Sequence, residues 1–443
     1  MIDLSPEYWT MLMFGGLLIG LFMGHPLAFV LGGLGVIFGC LVFSPAVLYL
    51  FMNRIYGTMD NYILIAVPLF ILMAQLLTLS GVAEELFNSM RYVFGPLRGG
   101  LAVTVVVVST LFGACTGIVG ASVVTMGLMA MPVMLKYGYD KRLSAGVICG
   151  GGTLGILIPP SVMLIIMGNE AGESVGKLFA AAIIPGLILS ALFIIYVLVK
   201  CYFNPQLGPP VSREERDAVT WKRLIRMLLK SLVPPMILIL GVLGSIFTGI
   251  ATPTEASGVG AFLSFLLILA YRKFSWSSLF DIMIQTARTT SMVIFVVVGA
   301  SCFATVFIQM GGGDVIKNLM MGVGLGKWGV FIIMMIINFL LGMFIDYLGI
   351  IMITFPVFLP IVDALGFDRL WFVVVTAIML QDSFLTPPFG YALFYLKAVA
   401  PPEVKMEDIY RGAFPFFELQ EVGLIICIFL PQTITWLPSI LVN

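Results

Sequence analysis

Gly151-Gly152-Thr153-Leu154-Gly155-Ile156-Leu157-Ile158-Pro159-Pro160-Ser161 lies inside one apolar run, and Gln381-Asp382-Ser383-Phe384-Leu385-Thr386-Pro387-Pro388-Phe389-Gly390 lies inside another. Each carries a double proline in mid-segment. Proline has no backbone N–H, and its ring clashes with the preceding turn, so two in succession should unwind a helix. Both stretches therefore read as discontinuous helices, over 142–168 and 370–398. They are also copies of one another. Pro132, Gly138, Asp140, Pro159 and Pro160 match Pro360, Gly366, Asp368, Pro387 and Pro388, all in one ungapped register, and Pro26 pairs approximately with Pro253. Five matches at one offset make chance a poor rival, and the chain reads as an internal duplication.

Working outward, two apolar runs near 100–135 and 328–362 are too long for one crossing. Each is interrupted by small or polar residues: Gly113-Ala114-Cys115-Thr116-Gly117-Ile118-Val119-Gly120-Ala121-Ser122 in the first, Gly342-Met343-Phe344-Ile345-Asp346-Tyr347-Leu348-Gly349 in the second. We read them as re-entrant hairpins, 100–136 and 327–363, with tips inside the bilayer. Non-helical backbone at that depth survives only where protein or a wet cavity satisfies it. The expected organisation is a first repeat over 1–200, a cytoplasmic amphipathic linker over 201–230, and a second repeat over 231–443.

Composition fits this plan. Of 443 residues, 60% are hydrophobic and 10% charged, with mean hydropathy +1.10. Soluble domains run about 45–50% apolar and about 25% charged. The excess suits many segments of ~20 residues, each able to cross ~30 Å of hydrocarbon. The ten-residue alternation of a β-barrel is absent. The fold class is thus an all-α polytopic membrane protein with two inverted-topology repeats, each holding a hairpin and a discontinuous helix. Zero net charge points to no nucleic acid. Six scattered cysteines read as small membrane hydrophobes, and one histidine, His25, leaves no His-based metal site. His25, between two crossings, reads as a turn residue rather than a proton relay. The N-terminus lacks the basic region of a cleaved signal peptide.

Five crossings and a returning hairpin per half make the second half inverted. With the N-terminus periplasmic and the linker cytoplasmic, only Arg54, Lys177, Lys317, Lys327 and Arg369 of the 23 Lys/Arg fall outside, as the positive-inside rule requires. In the linker, Arg213, Arg216, Lys222, Arg223, Arg226 and Lys230 interleave with apolar residues, which suits a connector or an amphipathic helix on the interface.

Broken helices at matched positions of inverted repeats point to a transporter site at the midplane. Unwound carbonyls can coordinate a cation, and half-helix N-termini favour an anion. One candidate site joins Thr116, Gly117, Gly120 and Ser122 to Gly151, Gly152, Thr153 and Ser161; the other joins Asp346 and Gly349 to Gln381, Asp382, Ser383 and Thr386. We assign ion contacts to Thr116, Gly117, Ser122, Gly152, Thr153, Asp346, Gly349, Gln381, Asp382 and Thr386, and solute contacts to Gly120, Ala121, Pro159, Ser161, Ser383 and Pro387. Singly, each Ser, Thr or Gly could serve helix packing; the coincidence with four backbone breaks is what singles them out. Glu255, after Thr252-Pro253-Thr254, suits a helix cap. No metalloprotease, Asp-pair or Ser–Lys motif marks an enzyme.

Gly249-Ile250-Ala251-Thr252-Pro253-Thr254-Glu255-Ala256 resembles the GxATPTEA signature of the large membrane (DctM-like) subunit of TRAP (tripartite ATP-independent periplasmic) transporters. Residues 151–161, 385–390 and Gly120-Ala121-Ser122 resemble that family's two broken helices and first hairpin, and the likeness covers nearly the whole chain. It implies an elevator-type ion transporter fold and uptake of a small carboxylate-type organic anion across the bacterial inner membrane. Coupling to Na+ is implied as well. It also implies two partners: a separate small four-helix membrane subunit and a periplasmic substrate-binding protein. The alternative is a stand-alone anion:sodium symporter without a binding protein. Asp382 departs from the family pattern, standing where the resembling Gln-Thr-Ser-Phe-Leu stretch has Thr.

Overall fold

The computed structural model describes residues 5–212, 219–322 and 324–442. They form helices and connecting turns, with no strand among them. The first half runs α1 (Pro6–Phe22), α2 (Leu27–Phe43), α3 (Val47–Met59), α4 (Ala66–Ser80), α5 (Val82–Phe94), α6 (Gly100–Thr116), α7 (Val119–Lys136), α8 (Lys141–Leu157), α9 (Val162–Ala171) and α10 (Val175–Phe203). The second runs α11 (Trp221–Phe247), α12 (Pro253–Ala270), α13 (Trp276–Gln309), α14 (Gly312–Gly322), α15 (Gly326–Gly342), α16 (Tyr347–Ala364), α17 (Arg369–Ser383), α18 (Tyr391–Val399), α19 (Met406–Phe429) and α20 (Gln432–Leu441). Among the described residues, eight helices are long and apolar enough to cross a membrane, nine if the bent pair α8 and α9 counts as one. The chain is a multi-pass membrane protein.

The register read from the prolines governs the helix limits. Val119 and Lys136 bound α7, and the residues at the same offset, Tyr347 and Ala364, bound α16. Lys141 and Arg369 open the equivalent helices, and Ala171 and Val399 close them. The local chemistry repeats too. Asp140 accepts from Leu143 N–H at 2.9 Å and Asp368 from Trp371 N–H at 2.7 Å, so each caps its broken helix. Gly138 and Gly366 both take positive φ, +77° and +71°, where only glycine turns without strain.

The two broken helices lie antiparallel. At one end Lys141, opening α8, donates to the Glu403 carbonyl beyond α18 at 2.9 Å; at the other Arg369, opening α17, donates to the Ala171 carbonyl closing α9 at 3.2 Å. At the centre Gln381 Nε2 donates to Thr153 Oγ1 at 3.3 Å, and these two residues stand 228 apart. Residues that a two-fold axis exchanges can touch only on that axis. Thr153 and Gln381 therefore mark where it passes.

Around this pair the remaining helices cross over between halves. α2 packs along α13, and α4 along α12. Small residues bring the first pair close: a Cβ on Gly299 would stand 2.5 Å from the Ala28 carbonyl, and one on Gly35 3.1 Å from the Cys302 backbone. Close backbone approach through small residues is the usual means of helix association in lipid.

Around the expected linker, α10 runs to Phe203, Pro205–Leu207 forms a 3-10 turn, and α11 carries Lys222, Arg223, Arg226 and Lys230 in its first ten residues before running on to Phe247. Arg213 and Arg216 lie outside the described residues. One expectation needs correction: a double proline does not break a helix by itself, since Pro234-Pro235 sits within α11. The breaks at 158–161 and 384–390 are completed by the residues just after their prolines. Ser161 is an N-cap that accepts from Leu164 N–H, and Gly390 takes a left-handed φ of +37° before α18. Met236-Ile237 offer neither device.

Candidate functional site

The first tip is built on glycine. α6 ends at Thr116, Gly117 turns at φ +61°, and α7 restarts at Val119. The Thr116 and Ser122 hydroxyls bond to each other at 2.9 Å across the turn. A Cβ on Gly117 would lie 3.1 Å from the Pro160 carbonyl and 3.2 Å from Ser161 Cα, so the tip rests on the first break. Below it, a Cβ on Gly113 would stand 2.7 Å from Gly155 Cα, and one on Gly152 2.3 Å from Val123 Cγ2. Ser161 donates to the Ile156 carbonyl while capping α9. Pro159 is buried in the break, and Ala121 sits half-buried in the first turn of α7. Thr116, Gly117, Ser122, Gly152, Pro159 and Ser161 thus belong to one neighbourhood. Gly120 reaches further: a Cβ there would lie 3.2 Å from the Tyr395 ring, in the second repeat.

Thr153 does not join them. Its hydroxyl donates to the Gly150 carbonyl at 2.8 Å and accepts from Gln381 Nε2 at 3.3 Å and Gln420 Nε2 at 3.0 Å. It links the two repeats instead of completing the first tip.

The second tip spans Met343–Ile345, and Asp346 opens α16. Asp346 is half-buried and faces a cavity. Gly349 serves packing: a Cβ there would meet Leu27 Cδ2 at 2.2 Å. Gly342, not singled out from sequence, holds α15 against α17, its Cβ position lying 2.2 Å from Ser383 Oγ. In the second break, successive turns bind Leu385 N–H to the Asp382 carbonyl at 3.0 Å and Thr386 N–H to the Ser383 carbonyl at 3.2 Å; Thr386 Oγ1 adds a 3.0 Å bond to the Asp382 carbonyl. Ser383 Oγ donates to the Leu380 carbonyl at 2.6 Å. Pro387 is exposed.

Asp382 is fully buried, and neither carboxylate oxygen has a hydrogen-bond partner among the described residues. The Gln381 and Gln420 amide oxygens are in the same condition. Buried acceptors without donors are costly in protein and more so at membrane depth. Gln381 and Gln420 meet at Thr153, and Asp382 is the next residue along α17; their orphan oxygens are the ligand type a hard cation such as Na+ prefers. Among the described residues no cluster of three or more His, Cys, Asp or Glu could hold a transition metal.

Gln420 was missed from sequence, as was Asn338 on α15, whose amide is buried with both ends unpartnered. A polar amide inside an apolar run is the signal that could have found both. Glu255 lies away from the site. Thr252 and Glu255 form a reciprocal capping box, with Glu255 Oε2 2.8 Å from Thr252 N, and Thr254 Oγ1 bonds the Tyr62 carbonyl at 2.9 Å. The signature at 249–256 therefore builds a helix start. His25 lies in the turn after α1, its N–H bonded to the Gly20 carbonyl, and it lines the same cavity as Asp346.

That cavity, about 1080 Å³, opens between the α1–α2 turn, α13, both tips and the second break.

The architecture has a solved counterpart. The crystal structure of the Alcanivorax borkumensis YdaH transporter superposes with a TM-score of 0.59 over 96% of this chain and 99% of that one, at 14% identity, a likeness of fold alone. In sequence, the chain is 32% identical to the C4-dicarboxylate TRAP transporter large permease protein DctM of Pseudomonas aeruginosa, over 90% of this chain and 91% of that protein. It is 29% identical to the protein of the same description from Vibrio cholerae, over 96% and 97%. The family model of the tripartite ATP-independent periplasmic transporter DctM component matches residues 14–433. With its duplicated hairpins and broken helices, this chain belongs to the DctM family of TRAP transporter large permeases.

Proposed function

We propose that the chain is the translocating subunit for sodium-driven uptake of a small carboxylate-type organic anion across the bacterial inner membrane. Its partners are a small four-helix membrane subunit and a periplasmic binding protein that delivers the anion. The observation that carries the reading is the Thr153–Gln381 contact on the axis between two antiparallel broken helices, beside the orphan oxygens of Asp382, Gln381 and Gln420. Sodium binds at the first tip and break through Thr116, Gly117, Ser122 and Gly152, and at the second through Asp346, Gln381, Asp382 and Thr386. The solute sits between the tips, near Gly120, Ala121, Ser161 and Ser383. Hairpins and broken helices travel together as an elevator against the remaining helices.

The N-terminus is on the periplasmic side by the charge rule, and contacts between helix ends fit the two sides that rule separates. Asn61 meets Asn169 at 2.6 Å, and Arg369 meets Ala171, all on segments the charge rule places outside. Lys230 meets Glu85 at 3.0 Å and Lys141 meets Glu403, all on segments it places inside.

The test is uptake into proteoliposomes holding the assembled complex. Accumulation should require an inward sodium gradient and the binding protein. Equal accumulation in potassium, or by the bare chain, would refute the proposal.

A further inference from the structure

The cavity beside Asp346 is walled by rings. On the side of the second repeat, Phe344 packs on Phe389 at 6.1 Å between centroids, and Phe384 joins Tyr347 at 6.2 Å to Tyr391 at 5.7 Å. The Tyr395 ring closes over Gly120 of the first tip. Opposite, Phe29 packs on Phe295 at 5.1 Å, and Phe22 reaches Phe344 at 5.6 Å. Phe389 is 51% exposed and Tyr395 41%, so the rings present area to the space rather than filling a core. Among the described residues that line this cavity there is no Lys or Arg; its ionisable groups besides the tyrosines are Asp346 and His25.

This lining sorts organic anions by charge and body. A compact dicarboxylate brings two charges and little apolar surface. One could face a helix N-terminus or a bound cation; the second would find no Lys or Arg, only hydroxyls and His25, which return less than the hydration it gives up. A monocarboxylate with an aromatic or bulky apolar body leaves no charge stranded, and its body gains edge-to-face and stacking contacts on these walls. We infer that the cavity takes a monocarboxylate with an aromatic or bulky apolar body and discriminates against compact dicarboxylates. The inference rests on the transport reading above. It separates this chain from relatives named for C4-dicarboxylates.

The experiment uses the full chain in lipid nanodiscs and two probes, 3-phenylpropionate and succinate, followed by saturation-transfer NMR in sodium and in potassium chloride. We expect saturable binding of 3-phenylpropionate in sodium. Tyr391→Ala and Phe389→Ala should each weaken it roughly tenfold, the scale of losing one aromatic contact, while Tyr391→Phe retains it. Both positions are open to the cavity, and an unchanged elution profile shows that the variants fold. Tighter binding of succinate overturns the inference. So does 3-phenylpropionate binding that ignores both alanine variants, or a lack of saturable binding. A separate arm measures thermal unfolding against sodium with no organic anion present. A sodium-specific rise leaves the transport reading standing when the substrate class fails; its absence removes that reading too.

Discussion

Replacing Gly113 with alanine tests how tightly the first hairpin is laid on its broken helix. The new Cβ would stand 2.7 Å from Gly155 Cα and 3.0 Å from Gly155 N. Both are backbone atoms and cannot rotate away. To reach the 3.4 Å of ordinary contact, α6 must retreat from α8 by about 0.7 Å, the difference between those separations. A gap of that size forfeits a quarter to a half of each dispersion contact along the seam, and overpacking of this kind costs about 1–3 kcal/mol. The shift also moves Gly117 off the Pro160 carbonyl and loosens the Thr116–Ser122 clasp. We therefore expect a lower unfolding temperature and a higher sodium concentration for half-maximal uptake. Gly15→Ala is the control, because nothing lies within 4 Å of its Cβ position. A Gly113→Ala protein matching Gly15→Ala in both measurements would refute the packing argument.

Thr153→Val leaves the Gln381 and Gln420 amide N–H groups without their shared acceptor, a loss of about 1–3 kcal/mol per orphaned group; thermal unfolding should fall, and Thr153→Ser should restore it. Asp346→Asn should raise the sodium requirement of uptake while membrane insertion, read by fractionation, is unchanged; an unaltered sodium response would remove Asp346 from the ion site. Asp382→Leu should abolish sodium activation, whereas Asp382→Asn, which keeps an oxygen, should retain part of it. Gly152→Leu, driven into Val123, should block uptake without preventing insertion.

Much of the architecture is legible because proline and glycine write backbone constraints directly into sequence. The offset between Pro159-Pro160 and Pro387-Pro388 locates the breaks, and with Asp140 and Asp368 it fixes where the broken helices begin. The same rule misleads at Pro234-Pro235, since a break also needs a cap beyond the prolines. Side-chain partners are far less legible. Gly349 and Gly120 share a residue type and a hairpin-tip position, yet one packs on Leu27 and the other faces Tyr395. Thr153 reads as a partner of the nearer tip because sequence distance hides the two-fold axis that joins it to Gln381. The rings around the cavity come from α1, α2, α13, the second tip, α16, the second break and α18, and no linear motif unites them.

Saturable binding of radioactive sodium to the purified chain probes the central claim, that the tips and breaks hold the ion. Unlabelled sodium should displace the label and potassium should not, with partial loss of binding in Thr116→Val and in Asp382→Leu and full loss when the two are combined. Counts that never saturate, or saturable binding indifferent to both substitutions, would contradict it.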